Sequence, residues 1–221
     1  MMGRSIAKTM VCAVAGLFMG VAGCTNVESP KENKPVAAAA GAQEMKLPPG
    51  WTESDMKACM AAGTPGKMQE YLAKSAGTWT GKSTMWMGPA SPPMPSDLTC
   101  TVTPIMGGRY TQMESKGEMP GMGPFQGIGT YGFDNVSQKF VATWIDNQGT
   151  GIMNGTGELS KDGKVLTWNF TFNCPINKKP TPFREVDTET GPNTKVLEMW
   201  SIEPKSGKEF KAMRIELTKK Q

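Results

Sequence analysis

The chain has 221 residues and no histidine, which removes much of the chemistry its other side chains would otherwise suggest. Nucleophilic catalysis of the Ser-His-Asp or Cys-His kind needs an imidazole to take the nucleophile's proton. Carboxylate acid–base work stays open. Asp146 follows Trp144 by two residues, and so shares its face of a strand, and Glu185 stands beside Arg184. Such chemistry requires two carboxyls at working distance, and an isolated strand carboxylate is more often solvated or paired. Cys59, Cys100 and Cys174 lack the close spacing of zinc ligands, so no metal is expected. The groups Met85-Trp86-Met87 and Met119-Pro120-Gly121-Met122 offer soft thioethers to Cu(I). Neither has a His or a nearby Cys in support, so adaptable apolar packing is the better reading.

Beyond residue 23 the only arginines are Arg109, Arg184 and Arg214, against a far larger number of lysines. A planar guanidinium is favoured where it must grip a carboxylate in a fork or stack on a ring. These side chains are therefore expected to point inward, either in buried structural pairs or against a ligand. Gly127-Ile128-Gly129-Thr130-Tyr131-Gly132 matches the dinucleotide fingerprint G-x-G-x-x-G. That fingerprint needs a helix N-terminus behind it to hold pyrophosphate. Here Phe133-Asp134-Asn135 turns straight into another strand, so the glycines read as room for large neighbours.

The elements that must position these groups follow from periodicity. Beyond Gly77, turn residues separate runs rich in Thr, Val, Ile, Phe and Trp: Gly107-Gly108, Asp134-Asn135, Asn147-Gln148-Gly149, Asp162-Gly163, Gly191-Pro192-Asn193 and Ser206-Gly207. About ten strands result, near 77–88, 97–106, 109–117, 125–134, 138–146, 151–160, 164–174, 182–190, 195–203 and 208–218. Leu166, Trp168, Phe170 and Phe172 alternate with Thr167, Asn169, Thr171 and Asn173, which predicts one apolar and one wet face. Hairpins between neighbours all along the chain favour an all-β, antiparallel up-and-down barrel over a β-sandwich, because closure leaves no open edge. Two short helices precede it within 51–76. One spans Glu53 to Ala62. The other, begun by Thr64-Pro65, sets Met68, Tyr71 and Leu72 on one face.

The N-terminus predicts location. Arg4 and Lys8 precede an apolar run from Met10 to Val21, which ends in Val21-Ala22-Gly23-Cys24. This is the pattern of a lipoprotein signal peptide over 1–23, with Cys24 as the acylated residue. Thr25, rather than Asp, in the next position favours the outer membrane, facing the periplasm. Residues 24–50, poor in large apolar side chains, read as a flexible tether, and 77–221 as the barrel domain. Loss of 1–23 removes Arg4 and Lys8 and no acid, taking the formal charge from +4 to +2. So small a charge, with no basic stripe, argues against nucleic acid. Three cysteines remain in an oxidising compartment, and Cys100 to Cys174 is the preferred bridge among pairings the sequence leaves open.

Gly77-Thr78-Trp79-Thr80-Gly81 on the first strand resembles the opening of the calycins, lipocalin-like barrels in which that Trp plugs a closed end and an Arg of the last strand lies against it. Here the partner implied by the resemblance is Arg214. Together with Met85-Trp86-Met87-Gly88-Pro89, Gly107-Gly108-Arg109-Tyr110, Phe125-Gln126-Gly127-Ile128-Gly129, Tyr131-Gly132-Phe133-Asp134-Asn135 and Thr143-Trp144-Ile145-Asp146, it resembles the bacterial family DUF1579 from about Pro65 to Leu217. The resemblance implies a calycin-like barrel without an established activity. The family pattern Thr-Pro-Gly-x-x-His-x-x-Leu carries a His that this chain lacks. The similar haem barrel nitrobindin holds iron through His, so haem by that route is excluded and no cofactor is expected.

The sequence thus predicts a tethered barrel that binds a small apolar or amphipathic molecule among Trp86, Trp144 and Trp168, with Arg109 or Arg184 at the ligand's polar end. A barrel filled by its own side chains, serving as an envelope-interaction module, is the alternative. An enzyme acting through carboxylates is the third reading.

Overall fold

The computed structural model describes residues 47–221. The predicted signal peptide, Cys24 and most of the tether lie outside the described residues. Helix α1 (Glu53–Ala62) opens with a capping box: Asp55 N–H donates to the Thr52 hydroxyl and the Asp55 carboxylate accepts from Thr52 N–H. Helix α2 (Lys67–Ala73) starts two residues later than Thr64-Pro65 suggested, with Gly66 as its cap. It turns Leu72 into the core and packs Met68 and Tyr71 against the same cluster.

Ten antiparallel strands follow: β1 (Gly77–Met85), β2 (Met94–Ile105), β3 (Tyr110–Met119), β4 (Gly123–Asp134), β5 (Lys139–Asp146), β6 (Met153–Leu159), β7 (Val165–Asn173), β8 (Pro180–Gly191), β9 (Thr194–Ile202) and β10 (Glu209–Lys219). Each pairs with its sequence neighbours, and β1 closes the barrel against β10. No strand keeps an unpaired edge. The alternation expected of β7 holds, since Leu166, Trp168 and Phe170 are buried while Asn169 and Thr171 are exposed.

In such a meander, connections alternate between the two ends of the barrel. Helix α2 covers the end where β1 begins and β10 finishes. Gln69 fixes it there by donating to Phe133 O (2.9 Å) and Asn135 Oδ1 (3.1 Å), and Asn135 Nδ2 in turn donates to Thr64 O at 2.8 Å. The opposite end is bounded by the loops after β1, β3, β5, β7 and β9.

Two apolar clusters fill the interior. One holds Leu72, Tyr131, Phe140, Leu166, Trp168 and Phe170, and the other Trp79, Val102, Leu197, Ile215 and Leu217. Interior glycines make room for the first. A Cβ on Gly157 would lie 2.8 Å from the Trp168 ring, and one on Gly155 would lie 2.5 Å from Phe170. The G-x-G-x-x-G segment works the same way within β4. Gly127 lies under the Trp144 ring and Gly129 under Tyr131, while Gly132, on the outer face, lies under the exposed Tyr110.

Cys59, Cys100 and Cys174 are all free thiols, which corrects the expected Cys100 to Cys174 bridge. Cys100 is on β2 and Cys174 just beyond β7, five strands away around a ten-strand barrel and so on opposite walls. Cys100 instead lies 3.2 Å from the Ser115 hydroxyl.

Candidate functional site

The covered end is packed tightly around Trp79, which is 4% exposed and donates its indole N–H to Ser75 O at 2.9 Å. The cations over its ring are Lys219 at 5.6 Å and Lys195 at 5.9 Å. Arg214 is not among them, contrary to expectation. Ile215 and Leu217 point inward on β10, so Arg214 and Glu216 point out. There Arg214 pairs with Glu198 (3.0 Å) and Glu216 (3.1 Å). Arg214 also sits opposite Thr84 in the β1 register, five positions from Trp79's partner Lys219.

The other two arginines are likewise outside. Arg109 is exposed and donates to Gly63 O (2.9 Å) and Met106 O (3.2 Å), tying the end of α1 to the β2–β3 connection. Arg184 lies on the outer wall, 5.0 Å over the Trp200 ring and 3.1 Å from Glu209. The Arg role expected at the polar end of a ligand therefore has no Arg to fill it among the described residues.

Inside the barrel, toward the end away from α2, is a cavity of about 230 Å³. Trp86 and Trp144 both line it, whereas Trp168 does not. Trp168 is 2% exposed and wedged edge-on against Tyr131 and Phe140, with ring centroids 5.2 and 6.1 Å away. It belongs to the packed core beneath the cavity, beside a smaller void of about 70 Å³ that reaches α2. Trp144 is held by stacking on Phe125 (6.5 Å) and by its N–H donated to Asp146 at 2.9 Å.

The cavity wall is rich in methionine. Met85, Met87, Met119 and Met122, from the two groups singled out in the sequence, are joined by Met113, Met153, Met199 and Met213. Unbranched thioethers adjust to guests of different shape more readily than branched side chains do. Into this lining project the buried hydroxyls of Ser83, Ser115 and Ser201.

The residue the sequence did not assign a site role is Glu185. It is 7% exposed and borders both voids. Burial pushes its carboxyl up to about 8. The Asp187 charge adds to this, and Lys195 acts against it. Asp187, next on the same face, is also raised by burial, although Lys195 Nζ donates to it at 3.2 Å and to Ser75 Oγ at 3.0 Å. One oxygen of Asp187 has no hydrogen-bond partner among the described residues. Tyr131 and Cys100, both facing Glu185, are held neutral by burial. Among the described residues no group of His, Cys, Asp and Glu forms a metal site.

The family model described as "Protein of unknown function (DUF1579)" matches residues 64–219. No curated protein matches the chain. Among solved structures, Rv2717c from M. tuberculosis is similar at 11% identity and a TM-score of 0.55, covering 72% of this chain and all of that one. The S-type phycobiliprotein lyase CPES from Guillardia theta is similar at 8% identity and a TM-score of 0.52, covering 74% of this chain and 97% of that one. At such identities the likeness concerns the barrel fold alone.

Proposed function

This chain belongs to the DUF1579 family, and from the cavity within its barrel we propose that it is a lipid-anchored, periplasm-facing protein that binds a small apolar or amphipathic molecule. The carrying observation is the methionine-lined cavity of about 230 Å³ in a barrel otherwise filled by two apolar clusters. An apolar cavity of roughly 150 Å³ accepts benzene. One half as large again suits one or two fused rings or a medium alkyl chain. The wall has the make-up of a small-molecule site, mostly apolar with a few convergent polar groups. A module that only fills and stiffens would gain stability by closing such a void, since unfilled cavities cost stability in proportion to volume. The phycobiliprotein lyase named above has the same barrel fold, which is compatible with a small-molecule role here.

Trp86 and Trp144 report occupancy directly. Titrating purified, delipidated protein with 1-octanol and with naphthalene should change their emission saturably. No saturable response to either would return the barrel to the structural reading. Anchoring rests on Ala22-Gly23-Cys24 and is tested separately. Cys24→Ser should move the protein from the membrane fraction to the soluble one, and protein that still fractionates with the envelope as an integral species would refute acylation.

A further inference from the structure

We infer that the cavity selects its guest by charge, taking an apolar molecule whose polar end is a protonated amine or another strong hydrogen-bond donor, with Glu185 as its counter-group. This rests on the reading of the cavity as a binding site. Among the described residues, the charged ones bordering the cavity are Asp97, Glu118, Asp146 and Glu185, with no Lys or Arg. Asp97 is engaged outside by Lys82 at 2.7 Å, and Glu118 lies on the exposed side of β3. Asp146 already accepts from Trp144 Nε1 and Gln148 N, each at 2.9 Å.

Glu185 differs from these three. Its side chain is more than nine-tenths buried, borders the cavity, and receives no side-chain hydrogen bond from any described residue. An uncompensated carboxyl in an apolar wall is costly to keep, and a guest that donates to it would relieve that cost. Ser201, buried and also without a side-chain hydrogen bond among the described residues, is its diagonal neighbour on β9, since Glu185 pairs with Met199 and Phe183 with Ser201. It supplies a second acceptor for the same head group. Among the described residues the cation near Glu185 is Lys195, which is committed to Asp187 and Ser75 at the covered end and lines only the smaller void. The expectation that arginines orient an acidic ligand is thereby reversed in sign.

Protonation adds a pH signature. Below about pH 8 Glu185 holds a proton in the empty barrel. An ammonium guest must displace that proton, so its affinity should rise by up to tenfold per pH unit from pH 6 to 8 and flatten above. Of the facing groups, burial raises Tyr131 and Cys100 further, and it raises Asp187 as well, against the pull of Lys195.

Three probes of equal chain length separate the possibilities: 1-octanol, octylammonium and octanoate, each titrated against full-length delipidated protein by Trp emission at pH 6, 7, 8 and 8.5. The expected order at pH 8.5 has octylammonium at least tenfold tighter than octanoate. In Glu185→Gln, octylammonium should weaken at least tenfold and lose its pH dependence, with octanol changed less than threefold. Saturable octanol binding with octanoate equal to or tighter than octylammonium would overturn the charge selection and leave the binding site standing. A flat pH profile for octylammonium in the unmodified protein would overturn it even if the variant failed to fold. If none of the three probes binds, the binding reading falls, and this inference with it.

Discussion

Glu185→Gln should make the barrel more stable, not less, at neutral and alkaline pH. The carboxyl titrates near 8 in the folded chain, against an ordinary value of 4.5. Between those two values the folded state holds one proton that the unfolded state has lost. The Glu185 contribution is therefore fully present below about pH 4.5 and falls as pH rises, by about 1.4 kcal/mol per unit, until it levels above pH 8. Across the window the loss sums to roughly 3 to 5 kcal/mol, a large share of a typical domain's margin. Glutamine keeps the shape and carries no charge, so its curve should lack this slope. Asp134, Asp162, Glu198 and Glu203 are all held low by their hydrogen bonds and titrate below the window. Asp187, raised as well and itself one cause of the Glu185 shift, is present in both proteins, so the difference between the curves reports the two carboxyls together. Urea unfolding followed by Trp emission at pH 5, 6, 7 and 8 gives the two curves. They should converge at pH 5 and diverge at pH 8, with the variant melting on the order of 10 °C higher at the alkaline end. Parallel curves across pH 5 to 8 would show that Glu185 is ionised in the empty barrel and refute the reasoning.

Two further outcomes follow from the packing. In double-mutant cycles on thermal stability, Trp79→Ala should couple to Lys219→Ala by about 0.5 to 2 kcal/mol. Its coupling to Arg214→Ala should lie within error, and Arg214→Ala alone, in a half-exposed pair, should cost less than about 1 kcal/mol. Gly157→Ala, whose new methyl would meet the Trp168 ring and Phe140, should cost about 1 to 3 kcal/mol through overpacking. Thermal denaturation checks it, and an unchanged melting temperature would show that Trp168 is free to move aside.

The fold was legible because its signals are local. Alternation in β7 needs only Leu166, Trp168 and Phe170, and turn residues such as Asp162-Gly163 declare themselves. At that turn Gly163 takes φ 73°, while the Asp162 carboxylate accepts from the Ser160 hydroxyl and Lys164 N. The apolar face that α2 packs on the barrel was legible from Met68, Tyr71 and Leu72, but not which part of the barrel it covers. The start of α2 was misplaced, because Pro65 suits the first turn of a helix but Gly66 provides the cap. The cavity itself was not legible. Its volume depends on how far eight methionines from five strands and two loops reach toward one another, which no single segment records.

The facing of Arg184 and Glu185 shows where local reading stops. Adjacent residues on a strand must point to opposite sides, so placing Arg184 inward put Glu185 out, and the structure has the reverse. Within β8 the sequence gives no clear preference, because Phe183 and Asp187 share a face with Glu185 while Val186 and Thr188 share one with Arg184. The decision comes from the neighbour. Residues paired across two strands lie on the same face, and Trp168 pairs with Glu185. Trp168 is fixed inward by the strongest alternation in the chain, and so Glu185 is carried inward with it. That pairing depends on the connection from Cys174 to Lys179, which closes with Cys174 N donating to Lys179 O at 3.0 Å and Lys178 N to Cys174 O at 2.8 Å. Had the connection been one residue longer or shorter, Arg184 would have entered the barrel and the site would have the opposite charge. The arginine preference was sound chemistry applied to the wrong wall: Arg184 does stack on a ring, Trp200, and does meet a carboxylate, Glu209. It does so on the outside, leaving the interior to an acid.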